Sequence, residues 1–177
     1  NLTSRRGHLF NIGQALQPGN TRLRFDISTG QCDFVGDCAD NFNAADGFAA
    51  SVYNVESEAA LDALISSTQN GGGLGYHIAS TTNEVESFHI EFDTWYNGAA
   101  MDPTPEDHIA IHLNANAHDA EFFAEVPNLE DNHWHDIQLT IEGITITVAL
   151  DGTEIISGDI PGFDFKGGFI GFSGTTG

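Results

Sequence analysis

The segment EFDTWYNGAAMD, residues 91 to 102, places four oxygen-bearing side chains at a spacing that could hold a divalent cation. Glu91 and Asp93 stand two residues apart in an alternating apolar and polar run, so on a strand their carboxylates share one face at about 7 Å. Asn97 and Asp102 follow within reach of the strand end. Calcium takes about six to eight oxygens from carboxylates, amides and carbonyls, and this set suits it. A solvated polar face with an Asp-Pro turn would give the same pattern, so the spacing leaves both interpretations open.

Histidines near this segment widen the range of metals that could bind. His108 opens the next alternating run, and an imidazole beside carboxylates suits a transition ion such as manganese. His133 and His135 flank Trp134 and could chelate zinc, but the sequence offers no obvious third ligand nearby. We therefore interpret these two histidines as the polar end of a strand. We expect Trp134 to lie in the core, because it precedes an alternating run.

The elements that must position these side chains are short strands. Turn pairs such as Glu142-Gly143 and Asp151-Gly152 separate the alternating runs. One short helix is predicted over residues 57–67, with Ser57 as its N-cap. Many short strands with glycine-rich turns are typical of an antiparallel β-sandwich, here as a single all-β domain spanning residues 1–177. The predicted strands are residues 23–27, 88–93, 109–113, 137–141, 144–150 and, in a glycine-rich run, 167–172.

The charge balance excludes several kinds of partner. The chain has 26 acidic residues against 5 basic ones, for a formal net charge of −21. So acidic a surface repels phosphate backbones, which argues against nucleic acid as a partner. No apolar run approaches the roughly 20 residues of a membrane helix, so we expect no membrane insertion. The acidity also suits a protein from a salty habitat, and a metal site would use only a few of these acids.

The two cysteines, Cys32 and Cys38, lie close together in QCDFVGDCAD. Neither belongs to a CxxC pair, which argues against a structural zinc site. We favour a local disulfide over two free thiols. A disulfide would imply an oxidising compartment, so the prediction is an extracellular or cell-surface protein.

Four stretches resemble the L-type (legume-type) lectins, and they occur in the order expected for that family. IEFDTWYN, followed by Asp102-Pro103 and HIAIHLN, looks like the family's metal-binding signature. AADGFAASVYN (44–54) is similar to its sugar-site strand, GGGLGYH (71–77) to its glycine loop, and GFIGFSGTTG (168–177) to a late strand. The resemblance implies a concanavalin-like jelly-roll β-sandwich of two antiparallel sheets, in a bacterial or other microbial member.

The family's usual terminal strands are not matched, because the similarity runs from about Arg22 to Gly177. Either the chain is trimmed, or residues 9–16 and neighbouring segments fill those places differently. Sugar specificity in the family depends on a loop beyond the matched region, so the resemblance does not identify the sugar.

The resemblance assigns each metal ligand by position. Glu91 and His108 would hold a transition ion such as Mn2+, Asp93 and Asp102 would bridge it to Ca2+, and calcium would also take the Trp95 carbonyl and the Asn97 amide. The stretch before His108 is one residue longer here than in typical plant members. Asp107 could therefore intrude on His108 or replace it, which affects the transition ion more than calcium.

The same resemblance implies a sugar site. Asp46 would accept two sugar hydroxyls after an Ala45-Asp46 peptide that is typically cis in the family, and Gly73, or alternatively Gly72, would donate a backbone N–H. Asn97 would serve calcium and sugar together, and Trp95 would stack on the ring. Without the resemblance, Asp46-Gly47 also reads as a plain turn, residues 71–73 as a flexible loop, and Trp95 as a core residue.

Three functional classes compete. The expected one is calcium-dependent binding of a glycan or polysaccharide by a non-enzymatic, lectin-like domain, which could act in adhesion. A glycoside hydrolase of the β-glucanase type would need a Glu-x-Asp-x-(x)-Glu run, and after Glu91 and Asp93 this chain has Thr94, Trp95 and Tyr96, so the acid is missing. A structural adhesin module, with metal that only stiffens its loops, is the third class.

Overall fold

The computed structural model describes residues 5–29, 46–79 and 85–176. Within these residues the chain forms ten β-strands, one α-helix and a short 3-10 turn at Gly71–Gly73. The helix, α1, is Glu58–Ser66. The strands are β1 (Arg5–Phe10), β2 (Thr21–Ile27), β3 (Gly47–Tyr53), β4 (Ser87–Asp93), β5 (His108–Leu113), β6 (Ala120–Glu125), β7 (His135–Glu142), β8 (Thr145–Leu150), β9 (Thr153–Asp159) and β10 (Phe169–Thr176).

The strands form two antiparallel sheets, which confirms the predicted β-sandwich. The larger sheet has six strands in the order β1-β10-β3-β4-β5-β6, and the smaller has four in the order β2-β7-β8-β9. The segment predicted to carry the metal ligands, β4, is an inner strand of the larger sheet. Glu91 of β4 pairs with Ala49 of β3 on one side and with Ala110 of β5 on the other.

The main core lies between the two sheets, and the apolar residues that form it recur at every second position along the strands. On β4, Phe88, Ile90 and Phe92 point into it and meet Ile137, Leu139 and Ile141 of β7, all nearly inaccessible to water. The rings of Phe48 and Phe92 stack with their centroids 4.6 Å apart, a separation typical of favourable aromatic pairs. This core fixes which face of β4 remains for the polar residues.

A second apolar cluster covers the outer face of the larger sheet. Leu61 of α1 packs there with Leu74 and Tyr76 of the loop that follows the helix, against Ala49 and Tyr53 of β3. The helix begins as predicted, because the Ser57 hydroxyl accepts a hydrogen bond from the backbone N–H of Ala60 at 3.2 Å. The helix and its loop therefore act as a lid over the polar face of β4.

The structure confirms every strand predicted from alternation. It also shows strands at β1, β6 and β9, whose sequences were not predicted as strands. β1 pairs with β10 at one edge of the larger sheet, so residues near the N-terminus occupy a place in the sandwich. No helix among the described residues is long and apolar enough to span a membrane.

The prediction that Trp134 lies in the core is wrong, because this side chain is 74% exposed. Ile137, Leu139 and Ile141 fill the core side of β7, and β7 begins one residue after Trp134. Residue 134 has the opposite parity from these residues, so alternation directs it away from the core. The alternating run after Trp134 predicted β7 correctly, and Trp134 itself lies just before that strand.

Candidate metal and ligand site

The polar face of β4 is buried, although a solvated face was one interpretation of the sequence. All seven residues of the strand are buried, including His89, Glu91 and Asp93. The lid formed by α1 and the following loop excludes water from this face, while the sheet sandwich buries the other. Buried ionised groups are costly unless they are paired or bind a metal, so each of these side chains needs a partner.

Glu91 lies at the centre of a polar network. Its Oε2 accepts a hydrogen bond from the Tyr76 hydroxyl, and its Oε1 lies 3.6 Å from His108 Nε2 and 3.5 Å from His112 Nε2. Burial by itself would raise the pKa of Glu91, but the neighbouring imidazoles and the Tyr76 hydroxyl lower it to about 2. Glu91 is therefore an anion inside the protein.

Asp93 lies beside this anion and resists ionisation. Its burial and the charge of Glu91 raise its pKa, although the backbone N–H of Trp95 donates to its Oδ1 at 2.8 Å. For His108, burial lowers the pKa, but Glu91 and Asp93 together raise it, so the net shift is upward. A cation among these groups would offset the repulsion between the two carboxylates.

The loop after β4 folds back as the sequence predicted. The backbone N–H of Asn97 donates to Oδ2 of Asp102, and the Asn97 amide donates to the Trp95 carbonyl at 3.2 Å. The N–H of Asp102 donates to the carbonyl of Gly98 at 3.1 Å, which closes the turn. Asp102 is buried, and that burial raises its pKa. The oxygens of Trp95, Asn97 and Asp102 are thus held near the end of β4.

The donor set suits a metal ion on the β4 side of this loop. One ligand atom each from Glu91, Asp93 and His108 lies within 4.8 Å of the other two. Nδ1 of His108 lies 3.1 Å from the carbonyl of Glu106, which can only accept a hydrogen bond, so Nδ1 carries the proton. The other nitrogen, Nε2, is buried without a hydrogen-bond partner and faces the two carboxylates, so it is the nitrogen that a metal would take in exchange for any proton there.

Asp107, the residue that could have replaced His108, forms hydrogen bonds outside the metal cluster. Its Oδ2 accepts a hydrogen bond from the backbone N–H of Leu129 at 2.9 Å, and its carbonyl accepts one from Val126. Asp107 therefore ties the start of β5 to the segment after β6. The extra residue in this stretch does not remove His108 from the cluster.

The predicted sugar-binding residues lie together at the end of the sheet. Asp46 precedes β3 and is 1% exposed, and its Oδ2 has no hydrogen-bond partner. Burial raises the pKa of Asp46, a hydrogen bond with Asn97 lowers it, and the charge of Asp102 raises it again, with a net upward shift. A Cβ built on Gly72 would lie 2.8 Å from the Asn97 side chain, so Gly72 and Asn97 are in direct contact.

The loop that carries these glycines is tied to two strands, β10 and β4. The Gly71 carbonyl accepts from the Thr175 hydroxyl, and the Leu74 carbonyl from the Ser173 hydroxyl, both at 2.8 Å. Tyr76 reaches Glu91, as described above. The backbone N–H of Gly73 donates to the carbonyl of Asn70 at 3.2 Å, so this N–H is engaged within the turn. Gly72 is therefore the better placed of the two predicted donors.

Other residues singled out in the sequence lie away from this site or outside the described residues. His133 and His135 are close to carboxylates: Nδ1 of His133 lies 3.0 Å from Asp131, and Nδ1 of His135 lies 2.8 Å from Asp151. These contacts agree with the interpretation as a polar strand end. Cys32, Cys38 and Ala45 lie outside the described residues, so the disulfide and the cis peptide stay predictions.

Comparisons with solved structures identify the fold. A lectin from Bauhinia forficata in complex with GalNAc matches with a TM-score of 0.66 and 21% identity, over 99% of this chain and 75% of the lectin. The Ca2+-bound exoplasmic/lumenal domain of VIP36 matches with a TM-score of 0.66 and 15% identity, over 99% of this chain and 69% of that domain. The chain has the L-type lectin fold. The sequence itself matches no protein-family model and no curated protein.

A third similar structure shows how widely the sandwich is used. A Bacillus subtilis protein of unknown function with a galectin-like fold matches with a TM-score of 0.59 and 11% identity, over 98% of this chain and 72% of that protein. At these identities the L-type lectin fold is established, while the function must be argued from the site of this chain.

Three residues of the network were not singled out as site residues in the sequence. Tyr76 donates to Glu91, and His112 approaches Glu91 from β5. His89 is held between the hydroxyls of Ser51 and Ser87 at 2.8 and 2.9 Å. The parity of HIAIH, which puts residues 108 and 112 on one face, could have indicated His112. Tyr76 had no local signal, because its partner lies on another element.

Proposed function

We propose that this chain is a calcium-dependent glycan-binding domain. The carboxylates of Glu91, Asp93 and Asp102 are buried close together, and burial raises the pKa of Asp93 and of Asp102. Cations would offset this concentration of negative charge. Calcium would take oxygens from Asp93, Trp95, Asn97 and Asp102, since hard cations prefer such ligands.

A second ion would be held by Glu91, Asp93 and His108, with Asp102 shared between the two ions. The cluster formed by the first three residues supports this assignment. When bound, the two ions would neutralise the buried carboxylates and fix the loop that carries Trp95 and Asn97. The residues of this chain that touch the sugar would thereby be held in one conformation before the ligand arrives.

The observation that carries the sugar-binding proposal is the unpartnered Oδ2 of Asp46. A buried carboxylate oxygen without a donor costs free energy that a ligand hydroxyl would recover. The Asn97 amide lies beside Asp46, where it could donate a hydrogen bond to a sugar hydroxyl or accept one from it. The backbone of Gly72 lies against the Asn97 side chain. Trp95 is half-buried and so is not a core residue, and its ring would stack on the apolar face of a sugar.

Proteins of the same fold support this proposal. The Bauhinia forficata lectin was solved with GalNAc, and VIP36 was solved in a form bound to Ca2+ and mannose. We take these two sugars as probes for this chain. Because the VIP36 domain is exoplasmic or lumenal, and because Cys32 and Cys38 are predicted to pair, we also propose an extracellular or cell-surface location.

The hydrolase alternative is less compatible with the site. A glycosidase needs two carboxyl groups that flank the scissile bond. Tyr76 donates to one carboxylate oxygen of Glu91 and two imidazoles face the other, so neither oxygen is available to a substrate in this arrangement. Its contacts are those of a metal ligand.

A glycan array with and without calcium tests the proposal, provided that it includes mannose-terminated and N-acetylgalactosamine-terminated glycans. We expect binding that disappears with chelator and returns with calcium. Asp46→Ala should abolish binding while leaving the melting temperature of the calcium-loaded protein nearly unchanged. Asp62→Ala, which removes an exposed carboxylate on α1, is the matched control and should bind normally.

The remaining outcomes separate the other classes. Calcium binding without any glycan signal would favour the structural adhesin module. Glycan binding that survives Asp46→Ala would refute the site assignment. Binding that is indifferent to chelator would remove calcium from the proposal.

A further inference from the structure

A cleft opens between the two sheets at the end of the sandwich where β3 begins and β10 ends. It has a volume of about 500 Å3, and its lining includes Phe48 and Phe172 of the larger sheet and Ile27 of the smaller one. Ile27 is buried and the two phenylalanines are half-buried, so the floor of the cleft is apolar. The metal network and the predicted sugar-binding residues do not line it.

Two exposed apolar side chains lie at the rim of this cleft. Trp134 and Leu9 are each 74% exposed, whereas tryptophan is a highly buried residue on average. Asp26 and Ser28 also line the cleft and are exposed, so the rim offers a carboxylate and a hydroxyl. An exposed apolar patch rimmed by polar groups commonly marks a binding surface.

Trp134 contributes little to the packing of the fold. The rings on the cleft floor already have partners, since Phe48 stacks on Phe92. Phe172 meets Phe25 edge-on, with the ring centroids 5.3 Å apart. Trp134 has no aromatic partner among the residues that the structure describes. Its exposed ring costs free energy in water, and contact with the apolar face of a ligand would recover part of that cost.

The chemistry of the cleft fits the ring of a sugar. A pyranose has an apolar C–H face that packs on an aromatic ring, and hydroxyls at its edge that pair with polar groups. Trp134 offers the first contact, and Asp26 and Ser28 offer the second. A wholly apolar ligand would need a more enclosed pocket, because such sites usually bury most of the ligand surface.

The charges around the cleft favour a neutral sugar. The chain has a net charge of −21, so its surface repels anionic glycans and anionic headgroups. Asp136 and, more weakly, Asp26 raise the pKa of Arg24, so the Asp26 carboxylate already has a cation nearby. Asp26 therefore provides hydrogen-bond acceptors for hydroxyls rather than a specific site for a cation.

The cleft lies next to the proposed sugar site. Phe48, on its floor, comes two residues after Asp46, or about 7 Å along an extended chain. The backbone N–H of Asp46 donates to the carbonyl of Thr175 at 3.1 Å, and the preceding residue, Gly174, lines the cleft. A glycan of a few residues that is held by Asp46 can therefore continue into the cleft.

We propose that this cleft is a second sugar subsite, in which one residue of a neutral oligosaccharide stacks on Trp134 while another is bound at Asp46. The inference rests on the proposed function and specifies its ligand class, which is neutral glycans of several residues. The added contact should make the chain bind such oligosaccharides more tightly than the corresponding monosaccharides.

The chain contains only two tryptophans, so each site has its own reporter. Indole N–H NMR on the full, calcium-loaded, nitrogen-labelled chain should show one signal from Trp95 and one from Trp134, and Trp134→Phe assigns them. Mannose and N-acetylgalactosamine should shift the Trp95 signal alone. Mannohexaose, or a neutral oligosaccharide that ends in N-acetylgalactosamine, should shift both signals.

Trp134→Ala measures how much the subsite contributes. In calorimetric titrations with calcium, the dissociation constant of the oligosaccharide should rise roughly 3- to 10-fold, the effect of one aromatic contact, while that of the monosaccharide stays the same. Ile144→Ala is the matched control. It removes an exposed apolar side chain from the turn between β7 and β8, at the other end of β7, and should change neither constant.

A Trp134 signal that no oligosaccharide shifts would overturn the inference, and so would an equal loss of oligosaccharide affinity in Ile144→Ala. A Trp134 signal that responds only to dodecanoate, an apolar ligand, would overturn it as well. The same holds for a signal that responds only to protein concentration, which would indicate contact between copies of the chain.

Failure of the proposed function gives a different result. Sugar-induced shifts of Trp95 without any shift of Trp134 would refute only this inference. Shifts of Trp134 in a protein whose Trp95 signal no sugar moves would refute the proposed function at Asp46 and keep the cleft as a sugar site.

Discussion

Replacing Gly72 with alanine tests whether the glycine loop and Asn97 form one sugar-binding surface. The backbone of Gly72 is outside the left-handed region, so alanine can adopt it. Its Cβ, however, would lie 2.8 Å from Cγ and Nδ2 of Asn97. Heavy atoms in contact normally lie about 3.5–4.0 Å apart, so the Asn97 side chain would have to retreat by roughly 0.7–1 Å.

A displacement of that size should separate Asn97 from the sugar and loosen one calcium ligand. Leaving a buried polar partner unsatisfied costs about 1–3 kcal/mol. Since 1.4 kcal/mol corresponds to a factor of ten, the dissociation constant of the glycan should rise roughly 5- to 150-fold. The core between the sheets is not touched, so the melting temperature should change little.

Isothermal titration calorimetry in saturating calcium, with the glycan that gives the strongest array signal, measures this effect. Gly7→Ala is the matched control, because a Cβ at residue 7 would meet no atom within 4 Å. An unchanged affinity in Gly72→Ala would refute the idea that Asn97 contacts the sugar. Equal losses in both variants would show that the effect does not come from the contact with Asn97.

Three other predictions follow from the site and the core. In chelator, the free energy of unfolding should fall as pH rises from about 7 to 8, because the raised pKa values of Asp93 and His108 mean that the native state binds more protons than the unfolded state in this range. Urea titrations at several pH values should show this slope, and calcium should reduce it to the part contributed by Glu130, whose pKa burial raises to about 7; a slope that calcium leaves unchanged would contradict the metal assignment. Tyr76→Phe removes the donor to Glu91 and should destabilise the chelated protein by about 1.5–3 kcal/mol in urea, whereas equal stability would show that this hydrogen bond contributes nothing. Trp134→Ala should change stability by less than about 0.5 kcal/mol, while Leu139→Ala should cost about 2–5 kcal/mol; a large effect at Trp134 would mean that its exposed position is not the one occupied in solution.

The strands that could be predicted from the sequence are those in which apolar and polar residues alternate strictly. Strands β4 and β7 alternate strictly because one face packs in the core, so a period of two located them. Strands β1, β6 and β9 were missed because their sequences, RRGHLF, AEFFAE and TEIISGD, do not alternate strictly, whereas TRLRFDI of the edge strand β2 does. Trp134 shows the limit of the method at a strand end, where hydrophobicity alone does not fix the direction of a side chain.

The site was predictable as far as it is local in the chain. Asp93, Asn97 and Asp102 fall within ten residues, and the turn that joins them follows from their own hydrogen bonds. The burial of Glu91 could not be predicted, because it depends on the lid that α1 and its loop form over β4. Contacts between elements distant in the sequence, such as that of Tyr76 with Glu91, need the three-dimensional structure.

The loop that follows α1 limits how the sugar preference of this chain could be redesigned. Its first part carries Gly72 to the ligand site, and four residues later Tyr76 reaches the metal network. A graft that exchanged the whole loop for one from another lectin would therefore alter the ion site as well as the sugar site. A library intended to change only specificity should vary residues 70 to 72 and leave Leu74 and Tyr76 unchanged, because these two residues anchor the loop to the sheet.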